Sequence, residues 1–247
     1  MRLSEVFTTI QGEGILTGVP SLFIRTTGCN LRCVHCRREW HDAPPDELRT
    51  DEAKSLLVDA IADSGWNSIL VFSGGEPLMR RDLFELIAYA RDRHVTTALA
   101  TNATLVDDDV AKRLAELGVP RASVSLDGAD ASSHDAFRGI RGSFDQAVAG
   151  IRSLRRAGIE VQLNVTFTQS NQRDAAAMLD LVRELDACAL HAFLLVPVGC
   201  GVDLPDSIRL EPAEVERLLT FLDTEAGVRD LEIRATCAPQ AQRIRIQ

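Results

Sequence analysis

No apolar run in this 247-residue chain reaches the roughly 18 residues that a bilayer-crossing helix needs. The opening also lacks the charged-then-apolar pattern of a secretory leader. The expected location is therefore cytoplasmic, with no membrane partner. Basic residues are in short supply, 27 Lys and Arg against 36 Asp and Glu, for a formal charge of −9 and a pI near 5.1. A surface built to hold phosphates needs clustered cations, so nucleic acid is not an expected partner. Low-complexity linkers are missing too, and Pro44-Pro45 reads as a loop, not as a domain boundary. Cysteine is sparse, at six residues, and three of these share one loop. That distribution argues against a disulfide framework and for metal binding in a reducing compartment. What is plentiful is apolar material, 45% of residues, enough to bury the core of a single domain.

Cys29, Cys33 and Cys36 stand in the run GCNLRCVHC. A cubane iron–sulfur cluster takes four ligands, so a loop offering three thiolates leaves one iron open to a cofactor or substrate. Zinc is the plain alternative. Structural zinc normally has four ligands, commonly as two separated pairs, whereas this loop supplies one triple. His35 lies beside Cys36 and is badly placed to close a tetrahedron with its own neighbours. Arg37 and Arg38 follow directly and read as solvent-facing or ion-paired cations ahead of contacts to an anionic substrate. Downstream stands Ser73-Gly74-Gly75-Glu76-Pro77. The glycines let backbone approach a ligand closely, Glu76 can accept a hydrogen bond from an amine, and Pro77 stiffens the turn. An ordinary strand-to-helix turn accounts for the same residues.

From Leu22 onward, short β-rich runs alternate with longer helical patterns, the signature of βα units around a parallel sheet. Six strands are expected, at Leu22 to Thr26, Ser68 to Phe72, Thr96 to Ala100, Ala122 to Leu126, Glu160 to Val165 and His191 to Val196. Helices are expected near Asp51 to Asp63, Arg81 to Arg93, Asp107 to Glu116, Phe144 to Arg156, Arg173 to Leu185 and Pro212 to Thr224. Acidic Asp51 and Glu52 suit a helix start, Gly118 and Gly158 suit helix stops, and Pro212 fits a first turn. The cysteines follow the first strand, GGEP the second, Thr101-Asn102 the third and Asp127-Gly128 the fourth.

A CxxxCxxC triple with His35 before its last Cys, followed by a strand ending in GGEP, resembles the radical S-adenosylmethionine superfamily. The resemblance implies an α/β fold, a partial (β/α)6 TIM-like barrel of parallel strands, with the site at the C-terminal strand ends. It implies one domain over residues 1–247: an N-terminal extension at 1–20, the barrel at 21–200, and a C-terminal helix and tail at 201–247. It further implies one 4Fe-4S cluster on Cys29, Cys33 and Cys36, with S-adenosyl-L-methionine chelating the open iron. One electron then splits the cofactor to methionine and a 5'-deoxyadenosyl radical, which takes hydrogen from substrate. Implied cofactor contacts are Ser73, Gly74, Gly75, Glu76 and Pro77, Asn102 at a ribose, and backbone near Leu195 and Val196 at adenine. The run SLDG followed by HDAFRG resembles a subgroup that uses Ser125 and Arg138 on the cofactor's carboxylate. Asn164 and Thr166 are secondary candidates. Each of these residues also has a plain role, as turn former, strand residue or surface cation. A flavodoxin or ferredoxin is the implied electron donor.

Two subgroups compete for the substrate. The opening VFTTIQGEGILTGVPSLFIRTTGCNLRC resembles 7-carboxy-7-deazaguanine synthase, making Gln11, Glu13 and Arg25 candidate substrate contacts. That family usually has Asp-Thr after the third cluster Cys, where this chain has Arg37-Arg38. Most of the chain, through SGGEPL, SLDGADASSHDAFRGIRGSF and FLLVPVGCG to ATCAP, resembles haem-pathway and peptide-maturing radical enzymes. Members of that group often carry an auxiliary-cluster segment rich in cysteine. Here Cys188, Cys200 and Cys237 are isolated, and a complete second cluster is not expected. The expected function is hydrogen abstraction from a small-molecule or peptide substrate in tetrapyrrole or peptide maturation. The alternatives are deazapurine synthesis and a non-catalytic metal-binding protein on a shortened barrel.

Overall fold

The computed structural model describes residues 3–10, 20–34, 36, 49–64, 69–195, 202, 204–236, 238 and 240–246. One eight-stranded sheet carries β1 (Leu3–Ile10), β2 (Pro20–Thr26), β3 (Ile69–Gly74), β4 (Thr96–Thr101), β5 (Arg121–Ser125), β6 (Glu160–Phe167), β7 (Ala189–Leu194) and β8 (Glu232–Thr236). The strands lie side by side in chain order. β1 runs antiparallel to β2, and every later pair is parallel. Between them run α1 (Thr50–Ser64), α2 (Leu83–Arg91), α3 (Asp108–Glu116), α4 (Ala131–Arg138), α5 (Ser143–Arg156) and α6 (Ala175–Glu184). α7 (Pro212–Arg229) precedes β8, and α8 (Gln240–Ile246) follows it. No described helix is long and apolar enough to cross a membrane.

All six expected strands form, with ends shifted by no more than two residues. Local chemistry sets several helix limits. The Asp107 carboxylate accepts the Val110 N–H at 2.8 Å to start α3. Pro212 opens α7, where the Glu214 side chain reaches back to the Glu211 N–H at 2.8 Å. α7 runs to Arg229, five residues past its expected end.

Four elements were not foreseen: β1, α4, β8 and α8. The stretch read as an N-terminal extension contributes a strand to the sheet, and the C-terminal stretch contributes another. β1 pairs antiparallel outside the βα alternation, whereas β8 extends it by one more unit after α7. α4 was hidden because its sequence, ASSHDAFR, is polar for a full turn and reads as loop. Its start is fixed by the Asp130 carboxylate, which accepts the Ser133 N–H at 2.8 Å.

The two faces of the sheet differ in chemistry. On β6, Val161, Leu163 and Val165 are fully buried within the core that includes the helices, while Gln162, Asn164 and Thr166 alternate with them. Parallel strands covered on both sides are usually apolar throughout. The polar residues Ser123 and Ser125 of β5, Asn164 and Thr166 of β6 and His191 of β7 therefore alternate with that core.

Candidate functional site

The loop that bears the cysteines is fastened on two sides. At the end of β3, the Gly75 N–H donates to the Thr26 carbonyl at 2.8 Å and the Glu76 N–H to the Gly28 carbonyl at 2.9 Å. The approach is so close that a Cβ on Gly75 would lie 2.0 Å from the Gly28 oxygen. On the other side the loop docks on the C-terminal end of α4. Arg32 N–H donates to the Arg138 carbonyl and Val34 N–H to the Phe137 carbonyl, both at 3.0 Å. Three separate sequence motifs, GCNLRCVHC, SGGEP and HDAFRG, thus meet in one place.

Cys29, Cys33 and Cys36 are half-buried, form no disulfide, and line one cavity of about 270 Å³ with Ser73, Gly75, Ser125 and Arg138. Burial pushes the Cys29 thiol up from its ordinary range. The Asn102 Nδ2 approaches its sulfur at 3.8 Å. Arg138 Nη1 donates to the Cys33 sulfur at 3.5 Å, and Nη2 of the same guanidinium is ion-paired with Asp127. That pairing, led by the Asp127 charge and seconded by the Cys33 sulfur, outweighs burial and holds the Arg138 pKa above its usual value. Asp127 is itself tied down: Oδ1 accepts the Thr166 N–H at 2.7 Å, and its backbone carbonyl accepts Asn171 Nδ2 at 2.7 Å. Its N–H donates to His134 Nδ1 at 3.1 Å. Burial, with Arg138 nearby, pushes His134 down to about 4, so the imidazole is neutral and able to accept.

Of the expected cofactor residues, Ser73, Gly74, Gly75, Asn102, Ser125 and Arg138 all line the cavity, as do the secondary candidates Asn164 and Thr166. Glu76 does not: it is fully buried and points into the protein. Its carboxylate accepts the Thr101 hydroxyl at 2.7 Å, the Asn102 N–H at 2.7 Å and the Leu78 N–H at 3.1 Å, so it ties β3 to the end of β4. Burial raises its pKa, with those three hydrogen bonds opposing. Pro77 is buried at the start of a short 3-10 turn and is outside the cavity lining. The glycines serve the backbone packing just described as well as the cavity wall. The Asn102 amide, at the cavity wall, is also hydrogen-bonded within the protein. Nδ2 donates to Asn30 Oδ1 at 2.8 Å, while Oδ1 accepts the Thr104 N–H and hydroxyl at 3.0 and 2.7 Å.

Leu195 lies just past β7 and does not join the lining, whereas Phe193 does. Leu194 packs into the core between them, and Leu195 lies beyond the last paired position of β7. Arg25 sits on β2 in register with Ser73 but is not part of the cavity wall. Gln11, Glu13, Arg37, Arg38, Val196, Cys200 and Cys237 lie outside the described residues. Cys188 immediately precedes β7, at the opposite end of the strands from the cluster loop, and its N–H donates to the Val161 carbonyl at 2.8 Å. It takes no part in the site.

Asp127, His134 and Phe193 were missed as site residues. The signal available for Asp127 was its place directly after a strand. Below the cavity the polar face continues: Gln162 Nε2 lies 2.8 Å from Asn164 Oδ1 and 2.9 Å from His191 Nδ1. A larger cavity, about 690 Å³, flanks α4 between Val34, Phe137 and Ile208, but none of the thiols reaches it. Size is the poorer guide here, since the donor atoms converge on the smaller cavity.

The donor set suits an iron–sulfur cube better than a single ion. Among the described residues no three Cys, His, Asp or Glu side chains are grouped to hold one metal ion. A cube takes each thiolate on a different iron and so accepts a wider spread. A three-thiol loop at the C-terminal ends of parallel strands, walled by two glycines and a buried arginine, defines a class of iron–sulfur βα-barrel proteins. Residues 23–182 match the radical SAM superfamily, and the chain belongs to that family, whose members use a 4Fe-4S cluster and S-adenosylmethionine.

Similarity extends well beyond the motifs. An AdoMet-dependent heme synthase of Nitratidesulfovibrio vulgaris is 44% identical over 220 residues, 89% of this chain and 59% of that protein. One from Methanosarcina barkeri is 42% identical over 232 residues, covering 93% and 65% respectively. The structure of native anSMEcpe with bound AdoMet aligns over 87% of this chain and 63% of that one, with a TM-score of 0.71 at 21% identity, a likeness of fold. The chain thus spans about three fifths of the length of these curated relatives.

Proposed function

We propose that this protein is a radical S-adenosylmethionine enzyme acting on a tetrapyrrole, with Cys29, Cys33 and Cys36 as cluster ligands. The observation that carries the reading is the convergence of three cysteine side chains, the paired glycines and Arg138 on one cavity. When bound, the cluster and cofactor supply reductive cleavage to a 5'-deoxyadenosyl radical able to take hydrogen from a substrate. The protein's own residues do the holding. Gly74 and Gly75 leave one wall without side chains, Ser125 and Arg138 face the same space and suit a carboxylate, and Phe193 offers a ring face. The named heme synthases among the relatives favour a tetrapyrrole over a peptide. They also favour it over the deazapurine reading, in which Gln11, Glu13 and Arg25 would meet the substrate. The barrel and the segment through α8 form one domain in this reading, since β8 pairs directly with β7. We place the protein in the cytoplasm with a flavodoxin or ferredoxin as electron donor.

The test is anaerobic reconstitution of the full-length protein with iron and sulfide, reduction, and incubation with S-adenosylmethionine. Formation of 5'-deoxyadenosine, increased by a carboxylate-bearing tetrapyrrole, supports the reading. No 5'-deoxyadenosine from cluster-loaded protein sinks it and leaves a non-catalytic metal protein. Turnover of a peptide, or of 6-carboxytetrahydropterin to a ring-contracted product, overturns the substrate class alone.

A further inference from the structure

Asp127 lies outside the cavity lining, yet it is 1% exposed and joined to four other residues. The Thr166 N–H donates to its carboxylate, while Asn171 and His134 hold its backbone carbonyl and N–H. The fourth is the ion pair to Arg138, whose other terminal nitrogen reaches the Cys33 sulfur at 3.5 Å. A guanidinium is a rigid planar fork, so anchoring one nitrogen fixes the direction of the other. Arg138 is only 8% exposed, and its Nε has no partner among the described residues. Among the described residues, its side-chain partners are Asp127 and the Cys33 sulfur.

We propose that Asp127 is a positioning residue that clamps Arg138 against the Cys33 sulfur and thereby sets the reduction potential of the cluster carried on that sulfur. The proposal rests on the radical S-adenosylmethionine reading for the presence of the cluster. A donor at a ligand sulfur stabilises the more negative, reduced state and raises the potential, since hydrogen bonds to sulfur and local charge are what the protein adjusts. Two effects of removing the Asp127 charge oppose each other, and their sign separates the mechanisms. Loss of a nearby anion alone would make reduction easier. Release of the guanidinium from Cys33 makes it harder.

The experiment is an EPR-monitored redox titration of the reconstituted full-length protein and its Asp127→Asn variant, with chemical mediators supplying the one electron. The expected result is a reduction equilibrium about tenfold less favourable in the variant, a fall of about 59 mV for a one-electron couple. Arg138→Lys, which keeps the cation but loses the fork, is expected to fall by a similar amount. Asp127→Asn placed on Arg138→Lys is expected to cause no further fall. A potential that rises or stays put in Asp127→Asn, or a further fall in the double variant, overturns the proposal. Should Asp127→Asn fail to load iron, Arg138→Lys decides alone, and an unchanged potential there is the refuting result. A wild-type cluster that gives no 5'-deoxyadenosine would instead strike the underlying functional reading, and the potentials would remain measurable.

Discussion

Gly75→Ala is the substitution for which the structure gives the most direct forecast. The new methyl would lie 2.0 Å from the Gly28 carbonyl oxygen and 2.7 Å from its carbon, both backbone atoms that cannot turn aside. Non-bonded heavy atoms settle at about 3.5 Å, so the end of β3 and the cluster loop must part by more than about 1 Å. That movement breaks the Gly75 to Thr26 and Glu76 to Gly28 hydrogen bonds, at 2.8 and 2.9 Å. Each is worth about 1 kcal/mol net, and overpacking adds about 1–3 kcal/mol. The loss of about 3–5 kcal/mol corresponds to a fall in Tm of roughly 6–20 °C for a chain of this size. Gly118→Ala is the matched control, because Gly118 has φ +78° and nothing within 4 Å of an added Cβ. It is expected to lose only about 1 kcal/mol from backbone strain. Thermal unfolding of the metal-free proteins, together with iron content after reconstitution, checks both. Gly75→Ala is expected to lose iron as well as stability, since Gly28 adjoins Cys29, whereas Gly118→Ala keeps its iron. Equal stability and equal iron in the two variants would refute the argument that these glycines serve backbone contact.

Cys33→Ala is expected to retain less than half of the wild-type iron and to form no 5'-deoxyadenosine, while its metal-free form unfolds within about 1 kcal/mol of wild type because the thiol is half-buried. Wild-type iron content in this variant would remove Cys33 from the ligand set. Glu76→Gln places an amide where the three donors from Thr101, Asn102 and Leu78 converge, at a cost of about 2–3 kcal/mol; urea unfolding indistinguishable from wild type would count against the clamp. Acid stability should be governed by His134 and His191, both pushed from 6.5 to about 4, chiefly by burial. Because their folded pKa values are depressed, each contributes stability that is whole above pH 6.5 and is lost as pH falls through about 4, roughly 3 kcal/mol apiece. Urea titrations across that range should show a shallower loss in His134→Gln, and an unchanged slope would contradict the assignment.

The order of secondary structure was legible because βα units leave a periodic trace. Leu70 and Phe72, or Val161, Leu163 and Val165, must face the helices whatever else the chain does, and such runs announce strands. The thiol triple was equally visible, since its ligands are separated by only a few residues. β1 and β8 were not, because an edge strand is defined by the neighbour it pairs with and not by its own pattern. α4 was missed for a related reason: its polar first turn is stabilised by Asp130, and its far end is secured by the cluster loop about a hundred residues earlier in the chain.

The sequence by itself determined which donor atoms the protein owns, the family they signal and the layered α/β plan, for these follow from residue type and short spacing. Only the tertiary structure decided what each side chain does. It turned Glu76 inward as a clamp, engaged the Asn102 amide beside Cys29, set Phe193 and not Leu195 in the cavity lining and put Asp127 behind Arg138. Those outcomes depend on hydrogen bonds and packing between residues far apart along the chain, whose directions are set when the strands align and have no counterpart in local pattern.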